Sequence, residues 1–191
     1  MITLIRSEVD PKWVEVKENE RVIEEVEVPF RLYRIPRDFS SVEEALRWLF
    51  DIEKKLVKGR AYRLLAARSY SSAALLQKLI EKGYRESICR EMIDELQRLG
   101  YLQDESFLLQ LIEREFRRGY GPLYIEMKVK SKGLDPERVR ILLTDARQLA
   151  MIRQLSAKLS RHSSQKKIQM LARRGFDLSL LLSEIESSFG R

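Results

Sequence analysis

Apolar residues follow two rhythms along this chain, and the change from one to the other divides it. In residues 1–35 they tend to alternate. Ile2 and Leu4 open one strand, Trp13, Val14 and Val16 form a second, and Val22, Glu24, Val26 and Val28 alternate in a third. Lys17–Glu20 reads as the turn of a β-hairpin, and Leu32 with Ile35 as a short further strand before Pro36. A lone hairpin is marginally stable in water, so this one needs something to lean on. From Ser41 the spacing becomes helical. Ser41 with Glu44 three residues on has the form of a capping box, followed by Leu46, Leu49, Phe50 and Leu56. Ala61, Leu64 and Leu65 predict a short helix to about Arg68, and Ile88, Met92, Ile93, Leu96 and Leu99 the buried face of a longer one. Phe107, Leu108, Leu111, Ile112 and Phe116 mark another, as do Leu149, Ile152, Leu155 and Leu159. A last helix from Asp177 to about Ser188 is expected to bury Leu178, Leu181, Leu182 and Ile185.

Three helical stretches share one design. Ser71–Tyr84, Gly121–Leu134 and Ser163–Phe176 each begin at a capping or helix-starting residue and carry an apolar mid-point at Leu79, Val129 or Leu171. Each then stops at Gly83, Gly133 or Gly175, followed by Tyr84, Leu134 or Phe176. Glycine after a helix permits the left-handed backbone of a C-terminal cap, and the apolar residue after it folds back on the last turn. Pro122 fits a first helical turn, where its missing N–H costs nothing. Asp135-Pro136-Glu137 reads as a cap, a proline at the first position and an acid at the positive helix end. A unit recurring loosely every 40–50 residues implies stacked copies that bury one another's apolar faces. The expected fold is mainly α: an elongated tandem array of three three-helix repeats (59–102, 103–145 and 146–191), preceded by an N-terminal β-hairpin and helix at 1–58.

Composition narrows the chemistry. The 191 residues hold one cysteine, Cys89, which forbids an intrachain disulfide and suits a reducing cytoplasm. No apolar run is long enough to span a bilayer, so no membrane association is expected. His162 is the single histidine, and there is no Cys/His cluster, phosphate-cradling glycine loop or HExxH. No catalytic residue, metal or cofactor is therefore expected. The formal charge of +7 is unevenly spread: residues 1–58 carry 11 Lys and Arg against 13 Asp and Glu, and the surplus lies in the rest. Between Asp145 and Asp177 there is no acid at all. A one-signed stretch of that length points to a polyanionic partner. The candidate basic surface is Arg117, Arg118, Lys128, Lys132, Arg153, Lys158, Arg161, Lys166, Lys167, Arg173 and Arg174.

From Arg60 to about Phe189 the chain resembles the RecX family of bacterial recombination regulators. The resemblance is carried by Leu64-Leu65-Ala66-Ala67-Arg68 with Ser71, Leu75, Lys78-Leu79 and Lys82-Gly83-Tyr84. It continues through Leu99-Gly100-Tyr101-Leu102, Asp104-Glu105, Phe107, Gly119, Gly121-Pro122, Ile125 and Lys132-Gly133, and ends on Leu171-Ala172-Arg173-Arg174-Gly175-Phe176. It departs from the family where Ala74 replaces a capping glutamate and Leu123-Tyr124 replace basic residues. The resemblance implies a curved helical array that binds RecA, lies in the groove of the RecA–single-stranded DNA filament and curbs its growth, ATP hydrolysis and strand exchange. Repeated cations could contact several protomers at once, and avidity would multiply weak contacts. A monomer with weak non-specific DNA binding is compatible with this. The rival reading is a helical module acting directly on nucleic acid without RecA, since +7 overall would also suit phosphate neutralisation.

Overall fold

Alternation in the first 28 residues and helical spacing after Ser41 both become structure in a computed structural model, which describes residues 1–10, 12–28 and 35–187. Four antiparallel strands, β1 (Ile2–Arg6), β2 (Trp13–Glu18), β3 (Arg21–Glu27) and β4 (Arg37–Phe39), form one sheet in the order β3-β2-β1-β4. The expected hairpin is its outer half, joined through Asn19 and Glu20, both left-handed at φ 47° and 72°. Two left-handed central residues give the turn a twist matching that of its strands. The further strand expected at Leu32 lies outside the described residues.

The sheet leans on the helix that follows. Ile2, Leu4, Val14, Val16, Val28 and Phe39 face Ala45 and Leu49 of α1 (Val42–Ala67) and bury with them. Alternation fails in β3: Val22 and Ile23 are both exposed, because this strand is the sheet's outer edge. Ser41 caps α1 by accepting from the Glu44 N–H at 3.2 Å. The Glu44 carboxylate reaches the Ser40 N–H at 2.9 Å, one residue before the partner a capping box would choose. The helices expected at 42–56 and at 61–68 are one helix of 26 residues, running unbroken through Gly59. Its second half packs against α2 (Ser72–Ile80) and α3 (Glu86–Arg98) around Val57, Ala61, Leu75, Leu79, Ile88 and Leu96. Leu99 is not on that face: it caps α3 and is 57% exposed. Met1–Leu102 form one compact unit.

Gln103–Arg191 form the second. It holds α4 (Asp104–Arg117), α5 (Pro122–Lys130), α6 (Glu137–Leu142), α7 (Asp145–Lys158), α8 (Ser164–Arg173) and α9 (Leu178–Ser187). Leu111, Ile112, Ile125, Val129, Ile152, Leu171, Phe176 and Leu181 belong to a single core. Of the apolar residues expected to be buried in α9, Leu181 and Ile185 are, while Leu178 and Leu182 are exposed; the helix has one buried stripe rather than two. Gly83, Gly133 and Gly175 are all left-handed, as the repeat predicts. At Gly175 the closing bonds are complete: Gly175 donates to the Ala172 carbonyl at 2.9 Å and Phe176 to that of Leu171 at 3.3 Å. Ser71 still caps α2 through the Ala74 N–H at 3.2 Å, without the reciprocal carboxylate that Ala74 has removed.

Candidate functional site

The basic residues of the second unit are arranged by two local features, a buried carboxylate at the end of α4 and a backbone splice between α8 and α5. Glu115 points inward from the last turn of α4 and its side chain is fully buried. A carboxylate there must be paired. Arg114 Nε lies at 3.0 Å, Arg118 Nη1 at 3.2 Å and Lys128 Nζ at 3.0 Å. Burial is the largest influence on Glu115 and raises its pKa, but hydrogen bonds from Lys128 and Arg114, with the charges of Lys128 and Arg118, outweigh it and hold the pKa below the ordinary carboxylate value. Beside this hub Tyr120 and Tyr124 stack at 4.1 Å, with Arg118 over the first ring and Lys128 over the second, each at 5.7 Å. Tyr124 thus stands in the cluster beside Lys128.

The splice joins two of the repeated stretches. The Gly121 N–H donates to the Arg174 carbonyl at 2.8 Å and the Leu123 N–H to the Gly175 carbonyl at 3.0 Å. The C-terminal carbonyls of α8 thereby satisfy N–H groups at the start of α5, which has no side-chain cap of its own. The close approach requires glycine on both sides. A Cβ on Gly121 would lie under 3.0 Å from Gly175 O, Gly175 C and Phe176 N, and one on Gly175 would meet Tyr124 Cβ at 2.8 Å. Arg173 and Arg174 are carried to this junction.

The candidate basic residues divide by their partners. Arg117 pairs with Glu113 at 2.9 Å, which also holds Arg147 at 2.9 Å. Arg118 and Lys128 belong to the Glu115 hub, and Lys132 sits half-buried just after α5 with a polar or charged interaction of its own. Arg153 makes a two-pronged pair with Glu184 of α9, both bonds 2.8 Å. Lys158, Arg161, Lys166, Lys167, Arg173 and Arg174 have no carboxylate of a described residue within 4.0 Å. All but Lys167, which is half-buried, are exposed. These six residues come from the end of α7, the following turn and α8, all inside the acid-free interval.

The candidate basic residues do not share one face. Lys158 and Arg153 are five residues apart on α7, roughly 140° around its axis. Lys158 lines a groove with Arg117, Arg118 and Arg174, whereas Arg153 lines another with Lys167 and Glu184. Arg114 and Arg147, outside the predicted set, carry part of the charge bound to Glu115 and Glu113. Their signal in the sequence is the pairing of each with an acid, at Glu115 in the adjacent position and at Glu113 from another helix, and only the first is readable without the fold.

A family model for the first three-helix domain of RecX matches residues 58–96. A protein of Legionella pneumophila named regulatory protein RecX is 33% identical over 141 residues, covering 68% of this chain and 94% of that one. The chain belongs to the RecX family. Another relative, the regulatory protein RecX of Thermus thermophilus, is 31% identical over 122 residues, covering 64% of this chain and 84% of its own. Among solved structures, RecX from Lactobacillus salivarius superposes with a TM-score of 0.60 at 20% identity, over 72% of this chain and 97% of that one. A second, titled regulatory protein RecX, gives 0.63 at 16% identity over 98% of this chain and 100% of its own, and shares the fold. The RecX family model begins inside α1, at residue 58, so the helix belongs partly to the N-terminal sheet and partly to the first RecX triplet. No helix among the described residues is long and apolar enough to cross a membrane.

Proposed function

We propose that this RecX-family chain is a cytoplasmic regulator without catalytic activity, acting as a monomer, that binds RecA or the RecA–single-stranded DNA filament and restrains its assembly, ATP hydrolysis and strand exchange. The observation that carries the reading is the set of six cations from Lys158 to Arg174 that the protein's own described carboxylates leave uncompensated. Charges kept for folding are paired, as Arg153 and Arg147 are here. Unpaired cations on neighbouring elements repel one another unless an anionic partner arrives. A filament offers such a partner in repeating form, and several weak charge contacts made together hold far better than one.

The reading is tested with RecA ATPase on single-stranded DNA. The triple variant Arg161→Glu, Lys166→Glu, Arg173→Glu alters three exposed residues, each without a carboxylate partner, and is expected to fold normally and lose most of the restraint. Arg153→Glu serves as the contrast: its loss removes the Glu184 pair and lowers stability. Undiminished restraint by the triple variant overturns this surface as the RecA contact. A salt-titrated pull-down with and without RecA separates the rival reading, since retention on bare DNA alone would make the chain a direct DNA-binding module.

A further inference from the structure

We propose that the groove where the C-terminal ends of α4, α7 and α8 meet seats an acidic protein segment that carries an apolar anchor side chain. The groove is a cavity of about 280 Å³. Its rim is Arg117, Arg118, Lys158 and Arg174, and no acidic residue among those described lines it. Its floor includes Met151, Leu155 and Met170, each half-buried and so still partly open to solvent. Methionine floors adapt to anchors of differing shape. Gly119 shapes one wall: a Cβ there would come within 2.9 Å of Arg174 Nη1 and 3.2 Å of a Leu155 methyl, so the bare backbone lets both side chains close up on the end of α4.

Cations around an apolar floor select carboxylates joined to hydrocarbon. A single-stranded nucleic acid would need aromatic side chains on which its bases stack, and none among the described residues lines this groove. The nearby tyrosines, Tyr120 and Tyr124, stack on each other instead. Phosphates alone would gain nothing from Met151, Leu155 and Met170. The occupant is therefore a protein segment, and the inference rests on the proposed function, for which it supplies a mode of contact through protein carboxylates rather than DNA phosphates.

The test uses the full-length protein and fluorescence anisotropy at about 0.15 M salt, where long-range attraction between exposed charges is screened. The probes are a labelled Glu/Asp-rich peptide with one central leucine, the same peptide with serine there, and labelled oligodeoxythymidine. The leucine peptide is expected to bind about tenfold or more tightly than the serine peptide, the gain from burying one apolar side chain. Met170→Ser should erase that difference, and Lys158→Glu with Arg174→Glu should abolish binding of both peptides, with far-UV circular dichroism unchanged. Equal binding of the two peptides, an unchanged preference in Met170→Ser, or oligodeoxythymidine displacing the leucine peptide from the groove would each overturn the inference. RecA ATPase on the same variants keeps the two readings apart. Peptide binding lost with RecA restraint intact upholds the groove as the seat of an acidic segment but overturns it as a contact with RecA, and leaves the proposed function to other residues. RecA unaffected by the wild-type protein that binds the peptide overturns the proposed function alone.

Discussion

Replacing Gly121 with alanine tests the splice that carries Arg174 to the groove. The backbone there, φ −84° and ψ 171°, is open to any residue, so the conformational effect of alanine should be favourable by about 0.4–1 kcal/mol. Space opposes it. The new Cβ would overlap three backbone atoms of Gly175 and Phe176, none of them the yielding tip of a side chain. Either α5 or the end of α8 must withdraw, which lengthens the bonds from Gly121 to Arg174 and from Leu123 to Gly175. Two backbone hydrogen bonds contribute about 0.5–1.5 kcal/mol each, and overpacking costs about 1–3 kcal/mol. Set against the conformational gain, the net expectation is a loss of about 1–6 kcal/mol. Hydrogen exchange is the assay of choice, because it reports opening at individual amides in a chain of two compact units. The Leu123 and Phe176 amides should lose protection by that amount, while amides of the sheet in the first unit keep theirs. Protection at Leu123 within about 0.5 kcal/mol of wild type would show that the junction yields to a methyl group and that the glycine pair is not what holds it.

Gly59→Ala should act in the opposite direction: a Cβ meets nothing within 4 Å in the middle of α1, so urea unfolding should show a gain of about 0.5–1 kcal/mol. Cys89 is buried, and burial, with the charges of Glu53 and Glu86 adding to it, pushes its thiol up to about 11. It should stay unreactive toward a disulfide reagent at neutral pH until urea unfolds the first unit, and prompt labelling of the native protein would contradict its placement. Glu115 has its pKa lowered on folding, so its contribution is present above the ordinary value of 4.5 and is lost as pH falls through the lower folded value. Glu115→Gln should cost about 1–3 kcal/mol at pH 7, since two of its three partners remain largely solvated, and should flatten the acid side of the stability profile; a wild-type profile would refute the hub.

What the sequence disclosed follows from how local each signal is. The glycine stops at Gly83, Gly133 and Gly175 depend on a few neighbouring residues, and they were legible together with the repeat that they mark. The capping serine at Ser71 was legible for the same reason. Where a helix joined a helix, the local signs failed: the apolar spacing divides into a helix to Leu56 and another over 61–68, yet Val57 and Ala61 are buried in the same core and α1 runs unbroken between them. The exposure of Val22, Ile23, Leu178 and Leu182 was hidden because it depends on which strand is outermost and how wide a helix's buried stripe is. Charge was the least legible property. Residue type marks Arg153 and Arg173 alike as cations, but Glu184, thirty-one residues from Arg153, neutralises the first and no described carboxylate neutralises the second.

A purely structural account of the groove's cations has to be weighed, because each helix meeting there ends in a basic residue: Arg117 on α4, Lys158 on α7 and Arg173 on α8. Cations at helix C-termini are stabilising, by about 0.3–1 kcal/mol each at exposed positions. Three negative helix ends brought close together would benefit more than one. That account explains why each of these three helices closes on a basic residue, but it stops at the last turn. It gives no reason for Arg161 in the turn or Lys166 near the start of α8, where the helix dipole disfavours a cation. Nor does its magnitude compete with binding. Neutralising Lys158 should lower stability by less than about 1 kcal/mol, small beside the 5–15 kcal/mol typical of a folded domain. The variant therefore remains almost wholly folded, and any large loss of RecA restraint or peptide binding in it is a loss of contact rather than of fold.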